Sequence, residues 1–285
     1  MIRKRDTSPT ATGAGTVTGN RALQVEEPLI FEKGKEGRSG VDLPAIPTIS
    51  NGAGRLGGLE RRGAIGLPGL SEPQVVRHYL RLSQKNYGID TGIYPLGSCT
   101  MKHNPRLNEE MARLAGLIDL HPLQPMSTVQ GALELIYTCA HWLKTLTGMP
   151  GCAMSPAAGA HGEMAGLMTI RAALEDRGDA RGLVLVPESA HGTNPASAHM
   201  CGYAVRSIPA NKRGRVDLAA VKKALNEDVA AFMLTNPNTC GLFEDEVLEI
   251  ARAVHDAGAF FYCDGANFNA IVGGVRPGDL GVDCM

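Results

Sequence analysis

The chain has 285 residues, is 44% apolar and 20% charged, and carries a net charge of −1 at neutral pH. That is ordinary composition for a globular protein with one large core or two small ones, and so balanced a charge gives no basis for binding nucleic acid or an acidic membrane surface. No apolar run reaches the about 20 residues of a membrane span, and seven cysteines at irregular spacings without a C-x-x-C pair argue against a zinc site or a secreted disulfide framework, and for a reducing cytoplasm.

In chain order, residues 1–27 are rich in Thr, Gly, Ala and Ser and lack periodicity, which predicts a disordered tail. Met1-Ile2-Arg3-Lys4-Arg5 is basic, but no apolar segment follows, so it does not read as a secretory signal. Residues 28–72 carry many Gly and Pro and read as an extended arm lying on another surface. Ser71-Glu72-Pro73 marks a helix start, and Val75, Val76, Tyr79, Leu80 and Leu82 follow at helical spacing. A second helix is expected from Ser127 to Gly148, with Leu133, Leu135, Ile136, Trp142, Leu143 and Leu146 as core candidates.

From residue 152 short apolar runs alternate with helical patterns. Strands are expected at 182–187, 203–208, 230–235 and 259–263. Helices are expected at 164–174, at 217–225 with an Asp217 cap, and at 244–257. This alternation predicts an α/β sheet with ligands at the strand ends, and residues 73–285 are expected to form that domain.

Four motifs fall on those ends and turns. Ser155-Pro-Ala-Ala-Gly-Ala-His-Gly-Glu163 is a small-residue turn opening a helix. Its backbone N–H groups and the helix dipole suit a phosphate, and His161 is placed to stack on an aromatic ring; a tight turn with a satisfied histidine accounts for the stretch equally well. Ser189-Ala-His-Gly-Thr-Asn-Pro195 and Leu234-Thr-Asn-Pro-Asn-Thr239 follow strands and face the ligand crevice, although such sequences also make routine turns. Asp264, after Phe260-Phe-Tyr-Cys263, is by itself most often a cap or turn residue. Together the four suit a phosphate-bearing aromatic cofactor.

Two other patterns are set aside. Gly52-Ala-Gly-Arg-Leu-Gly57 satisfies G-x-G-x-x-G without a preceding strand. His191 and His199 lack a carboxylate or thiol at a metal-ligand spacing, so no metal is expected.

Six segments in order resemble the glycine cleavage system P-protein, glycine dehydrogenase, in the half that many bacteria encode as subunit 2. They are Tyr94-Pro-Leu-Gly-Ser-Cys-Thr-Met-Lys-His-Asn-Pro105, His121-Pro-Leu-Gln-Pro125, Ala157-Ala-Gly-Ala-His-Gly-Glu163, Ala190-His-Gly-Thr-Asn-Pro-Ala196, Thr235-Asn-Pro-Asn-Thr239 and Asp264-Gly-Ala-Asn267. The resemblance implies an α/β fold-type I large domain, dependent on pyridoxal 5′-phosphate, with an N-terminal arm. The implied reaction is decarboxylation of glycine with transfer of the aminomethyl group to the lipoyl arm of the H-protein, beside P-protein subunit 1 in a heterotetramer with two of each subunit. By the same resemblance Asp264 pairs with the ring nitrogen and His161 stacks on the ring. Ala158, Gly159 and Ala160 hold the phosphate, while Thr193, Asn236 and Ala266 complete the cofactor contacts. Ser98, Cys99, Thr100, Asn194 and Asn267 face the substrate.

The family pattern places its Schiff-base lysine shortly after the position of Met285, and none of the nine lysines here lies beyond Lys223. The expectation is therefore a C-terminally incomplete large domain without the small domain, poorly stable and inactive alone. A non-catalytic fragment that docks on a partner subunit, or another fold-type I enzyme, are the alternatives. A bacterial or archaeal cytoplasm is the expected location, with a mitochondrial one the weaker alternative.

Overall fold

The computed structural model describes residues 27–44, 56–59, 61–63, 65–93 and 102–285. The expected tail up to residue 26, the start of the Gly52–Gly57 pattern and the segment 94–101 lie outside them. The chain divides into two compact units, up to Thr91 and from Gly92 onward.

In the first unit, helix α1 (Glu72–Ser83) begins where the sequence signals it. Pro73 sits in the first turn, and the Ser71 backbone N–H donates to Gln74 Oε1 (3.0 Å), half of a capping box. The only buried side chain of α1 is a polar one, His78. It meets Glu27, whose carboxylate also accepts from Arg81 Nε (2.5 Å), Arg81 Nη2 (3.1 Å) and Lys33 Nζ. Arg81 and Lys33 hold the Glu27 carboxyl well below the usual carboxylate range. Paired charges rather than an apolar face thus tie the start of the described arm to α1.

The second unit contains helices α2 (Arg106–Ala112), α3 (Ala115–Ile118) and α4 (Gln130–Thr147). An alternating series follows: α5 (Gly159–Asp176), β1 (Leu183–Pro187), α6 (Thr193–Met200), β2 (Ala204–Ile208), α7 (Leu218–Ala224), β3 (Val229–Thr235), α8 (Val247–Asp256) and β4 (Phe260–Asp264). The strands form one parallel sheet in the order β2-β1-β3-β4. Every residue of β1 and β3 is buried, as central parallel strands covered on both faces require. Alternation along the strands sorts the core into two layers. Leu185, Phe232 and Phe261 pack on Val221 of α7 and Ile250 and Val254 of α8, while Val184, Met233 and Tyr262 pack on Leu167, Ile170 and Leu174 of α5. β2 is an edge strand and largely exposed. At the other edge β4, besides its pairing with β3, forms a parallel bridge from Tyr262 to Cys284.

Two expectations need correction. The helix expected from residue 244 begins at Val247, because Glu244 is held in the preceding loop: its N–H donates to Asn236 Oδ1 (3.1 Å), and its carboxylate accepts from the Val216 N–H (3.0 Å) and Asn238 Nδ2 (2.9 Å). The α4 core candidates are not core. No residue of α4 is buried, and Leu133, Leu135, Ile136, Trp142, Leu143 and Leu146 are all exposed, Trp142 by 64%. Helical periodicity identifies an apolar stripe but not what covers it.

Candidate active site

β3 and β4 run side by side in a register that pairs Thr235 with Asp264, so both side chains arrive at the carboxyl end of the sheet. The turn after β1 brings His191 to the same end, and the first turn of α6 brings Asn194. α5 crosses the sheet so that Glu163, one turn in, points inward with Leu167, Ile170 and Leu174. Four elements therefore converge on one buried carboxylate.

Asp264 is 5% exposed. Its Oδ2 lies 2.5 Å from His191 Nε2 and accepts from Asn194 Nδ2 (3.1 Å) and Thr235 Oγ1 (3.5 Å). Its Oδ1 accepts from the Ala266 N–H (2.9 Å). The Thr193 N–H donates to His191 Nδ1 (3.1 Å), so that nitrogen is an acceptor and the imidazole proton sits on Nε2, directed at the carboxylate. Asn194 Nδ2 also donates to Glu163 Oε2 (2.9 Å), and Glu163 Oε1 stands 3.5 Å from His191 Nε2. Two buried carboxylates thus share an amide and an imidazole as donors. Burial raises the Glu163 carboxyl above the ordinary range, opposed by the Asn194 hydrogen bond and reinforced by the Asp264 charge.

Glu163, His191 and Asp264 offer three ligand atoms within 4.8 Å of one another. Two ligands of one tetrahedral metal at about 2.0–2.1 Å stand roughly 3.3 Å apart. The 2.5 Å between His191 Nε2 and Asp264 Oδ2 is closer than that and describes a hydrogen bond instead.

The other expected residues are placed as follows. Ala158 precedes α5 as its N-cap without any side-chain cap, so the first N–H groups of the helix, at Gly159, Ala160 and His161, are left for a ligand. A Cβ added at Gly159 or Gly162 would meet nothing within 4 Å. His161 is exposed. Asn236 is buried in the turn after β3, beside a cis bond to Pro237; its Oδ1 serves Glu244 and its Nδ2 has no partner. Asn267 donates to the Pro237 carbonyl (3.0 Å), linking the turns after β3 and β4. Ser98, Cys99 and Thr100 lie outside the described residues. The structure therefore gathers Asp264, Asn194, Ala266 and, through His191, Thr193; no hydrogen bond joins His161, Asn236 or Asn267 to the Asp264 group among the described residues. A cleft of about 530 Å³ opens between α4, α5 and the last residues, with Cys152, Gly162 and Met285 in its wall, but Asp264 is not part of it.

Sequence reasoning assigned no role to His191 beyond setting it aside as a metal ligand, and none to Glu163. A signal for Glu163 existed: positions 163, 167, 170 and 174 form one helical stripe, so an acid there enters the core.

The residues present fit a pyridoxal phosphate. A buried carboxylate with fixed donors stands at the strand ends, an uncapped helix terminus is open to a phosphate, and Oδ1 of Asn194, the amide bonded to that carboxylate, is buried without a partner among the described residues. The aminotransferase class-V family model matches residues 164–284. A crystal structure of glycine decarboxylase (P-protein) of the glycine cleavage system, in inhibitor-bound form, superposes with a TM-score of 0.63 at 26% identity, over 79% of this chain and 49% of that one. The fold is thus the α/β fold of class-V aminotransferases, a family dependent on pyridoxal phosphate.

Among curated sequences, the probable glycine dehydrogenase (decarboxylating) subunit 2 of Caulobacter vibrioides is 64% identical over 96% of this chain and 52% of its own length. That of Thermococcus onnurineus is 54% identical over 93% of this chain and 53% of its own. The chain is a homologue of glycine dehydrogenase (decarboxylating) subunit 2, and it spans about half the length of the curated relatives it matches.

Proposed function

We propose that this chain carries the ring-binding part of a pyridoxal 5′-phosphate site that decarboxylates glycine and passes the aminomethyl group to the lipoyl arm of an H-protein, with glycine dehydrogenase subunit 1 as partner, in a bacterial or archaeal cytoplasm. The observation that carries this reading is the buried Asp264, held by His191, Asn194, Thr235 and the Ala266 N–H. When bound, the cofactor supplies an electron-poor ring that takes up the electron pair released as CO2 leaves.

The rest falls to the chain's own side chains. Asp264 keeps a proton on the ring nitrogen, and His191 and Asn194 fix the direction in which the carboxylate faces. The α5 terminus at Ala158, Gly159 and Ala160 binds the phosphate, and His161 lies against the ring. Thr193, Asn236 and Ala266 line the cofactor; Asn194 and Asn267 line the substrate side.

Titrating the chain with pyridoxal 5′-phosphate and following its absorbance tests this. Asp264→Asn is expected to weaken binding about 10- to 100-fold, the worth of a hydrogen bond between charged groups. Equal binding by both proteins rejects the reading. Glycine-dependent CO2 exchange with lipoylated H-protein and subunit 1 then separates this function from other enzymes of the fold. A docking role without catalysis is the second reading, favoured by the exposed stripe of α4; co-purification with subunit 1 without cofactor absorbance supports it.

A further inference from the structure

Glu163 is 6% exposed and lies beside a second buried acid, with no lysine or arginine against it among the described residues. The ionisable groups facing it are His191, from the turn before α6, and Asp264 and Tyr262 on β4. Tyr262 is neutral, since burial pushes its phenol far up. α6 contributes only the uncharged Asn194 and Ser197, and β3 only Thr235, against Asp264.

The donor count is also short. Asn194 spends both amide hydrogens, one on each acid, and His191 has a single Nε2–H that lies 1.0 Å closer to Asp264 than to Glu163. Asp264 is therefore the better solvated of the two. Like charges this close in a buried site do not both persist; one acid keeps a proton. The Ser197 hydroxyl, hydrogen-bonded to Glu163, can turn from donor to acceptor and so serve the protonated acid.

We propose that Glu163 is a positioning residue that carries the proton of this acid pair, and that by doing so it keeps Asp264 an anion and the His191 Nε2–H directed onto it. The proton moves between Glu163 and solvent. The role assigned to Asp264 rests on the cofactor reading, whereas the proton on Glu163 does not.

The test is nuclear magnetic resonance of the full chain labelled with 15N in histidine, without cofactor, titrated with acid and base. In the wild type the His191 resonances are expected to show a step above the ordinary glutamate range, set by the Glu163 proton. Glu163→Gln mimics the protonated acid at almost identical size, so the step is expected to vanish and the low-pH spectrum to persist. In Asp264→Asn the repelling charge is gone, and the step is expected to move to lower pH. A step that survives Glu163→Gln, or a wild type with no step, overturns the proposal. Adding pyridoxal 5′-phosphate afterwards separates the two readings: an unchanged wild-type absorbance spectrum overturns the cofactor reading alone.

Discussion

Glu244 is 1% exposed, yet it forms no ion pair in the core; its carboxylate is satisfied by a backbone N–H and an asparagine amide. Burial raises its carboxyl above the ordinary range, so the folded chain binds its proton more tightly than the unfolded chain does. The contribution to stability is fully present below the unfolded pKa of about 4.3 and is lost as the pH rises through the folded value. Denaturant melts at rising pH above that value are expected to show the decline, and Glu244→Gln is expected to reduce it. The variant also turns one acceptor into an amide that meets a donor, which costs about 1–3 kcal/mol. Glu27 has the opposite sign: its lowered pKa favours the fold above the ordinary carboxylate range, and acid removes that support as pH falls toward the folded value. At this scale Asp264, by itself most often a cap or turn residue, was legible through its company: three further motifs at strand ends and turns, and the family resemblance they carry. The Glu163–His191–Asn194 cluster was not, since it joins residues 31 and 70 or more positions apart, a distance that local pattern does not span.

Individual elements are fixed by local chemistry where their ends are capped and by packing where they are not. Asp217 accepts from the Ala219 and Ala220 N–H groups (2.9 and 3.1 Å), and α7 begins directly after it. Asp217→Ala is expected to cost about 1 kcal/mol in denaturant unfolding. α5 is placed by contact instead. A Cβ at Gly166 would stand 2.6 Å from Tyr262 Cε2 and 2.9 Å from Cys284 Sγ. Gly166→Ala is therefore expected to push α5 off β4 and to cost about 1–3 kcal/mol, seen as a lowered melting midpoint. The four strands and their helices were readable from alternation and caps, with ends displaced by a few residues. The failure at α4 is of another kind: the helix as a whole is no less apolar than α8, but its apolar residues are less gathered on one side, and only α8 packs on the sheet core.

Across the whole molecule, the same stripe leaves the single tryptophan, Trp142, in solvent. Its fluorescence is expected at the wavelength of hydrated indole, with a blue shift when a hydrophobic dye or a partner covers α4; emission typical of a buried indole in the free chain contradicts the exposure described. Large apolar patches of this kind mark interaction surfaces or aggregation liabilities, and concentration-dependent sedimentation distinguishes the two. The sheet order β2-β1-β3-β4 adds a kinetic consequence. Every adjacent pair of strands in the sheet is parallel, so among the described residues no hairpin joins two of its strands as a first nucleus. The central strand β1 must wait for two separate crossovers before both its edges are filled, and β3 reaches it only after α6, β2 and α7 have been made. High contact order of this type slows folding and prolongs the exposure of bare strand edges. Refolding yield is therefore expected to fall steeply with protein concentration, and the window in which the nascent sheet needs a chaperone is set by how long β1 waits for β3.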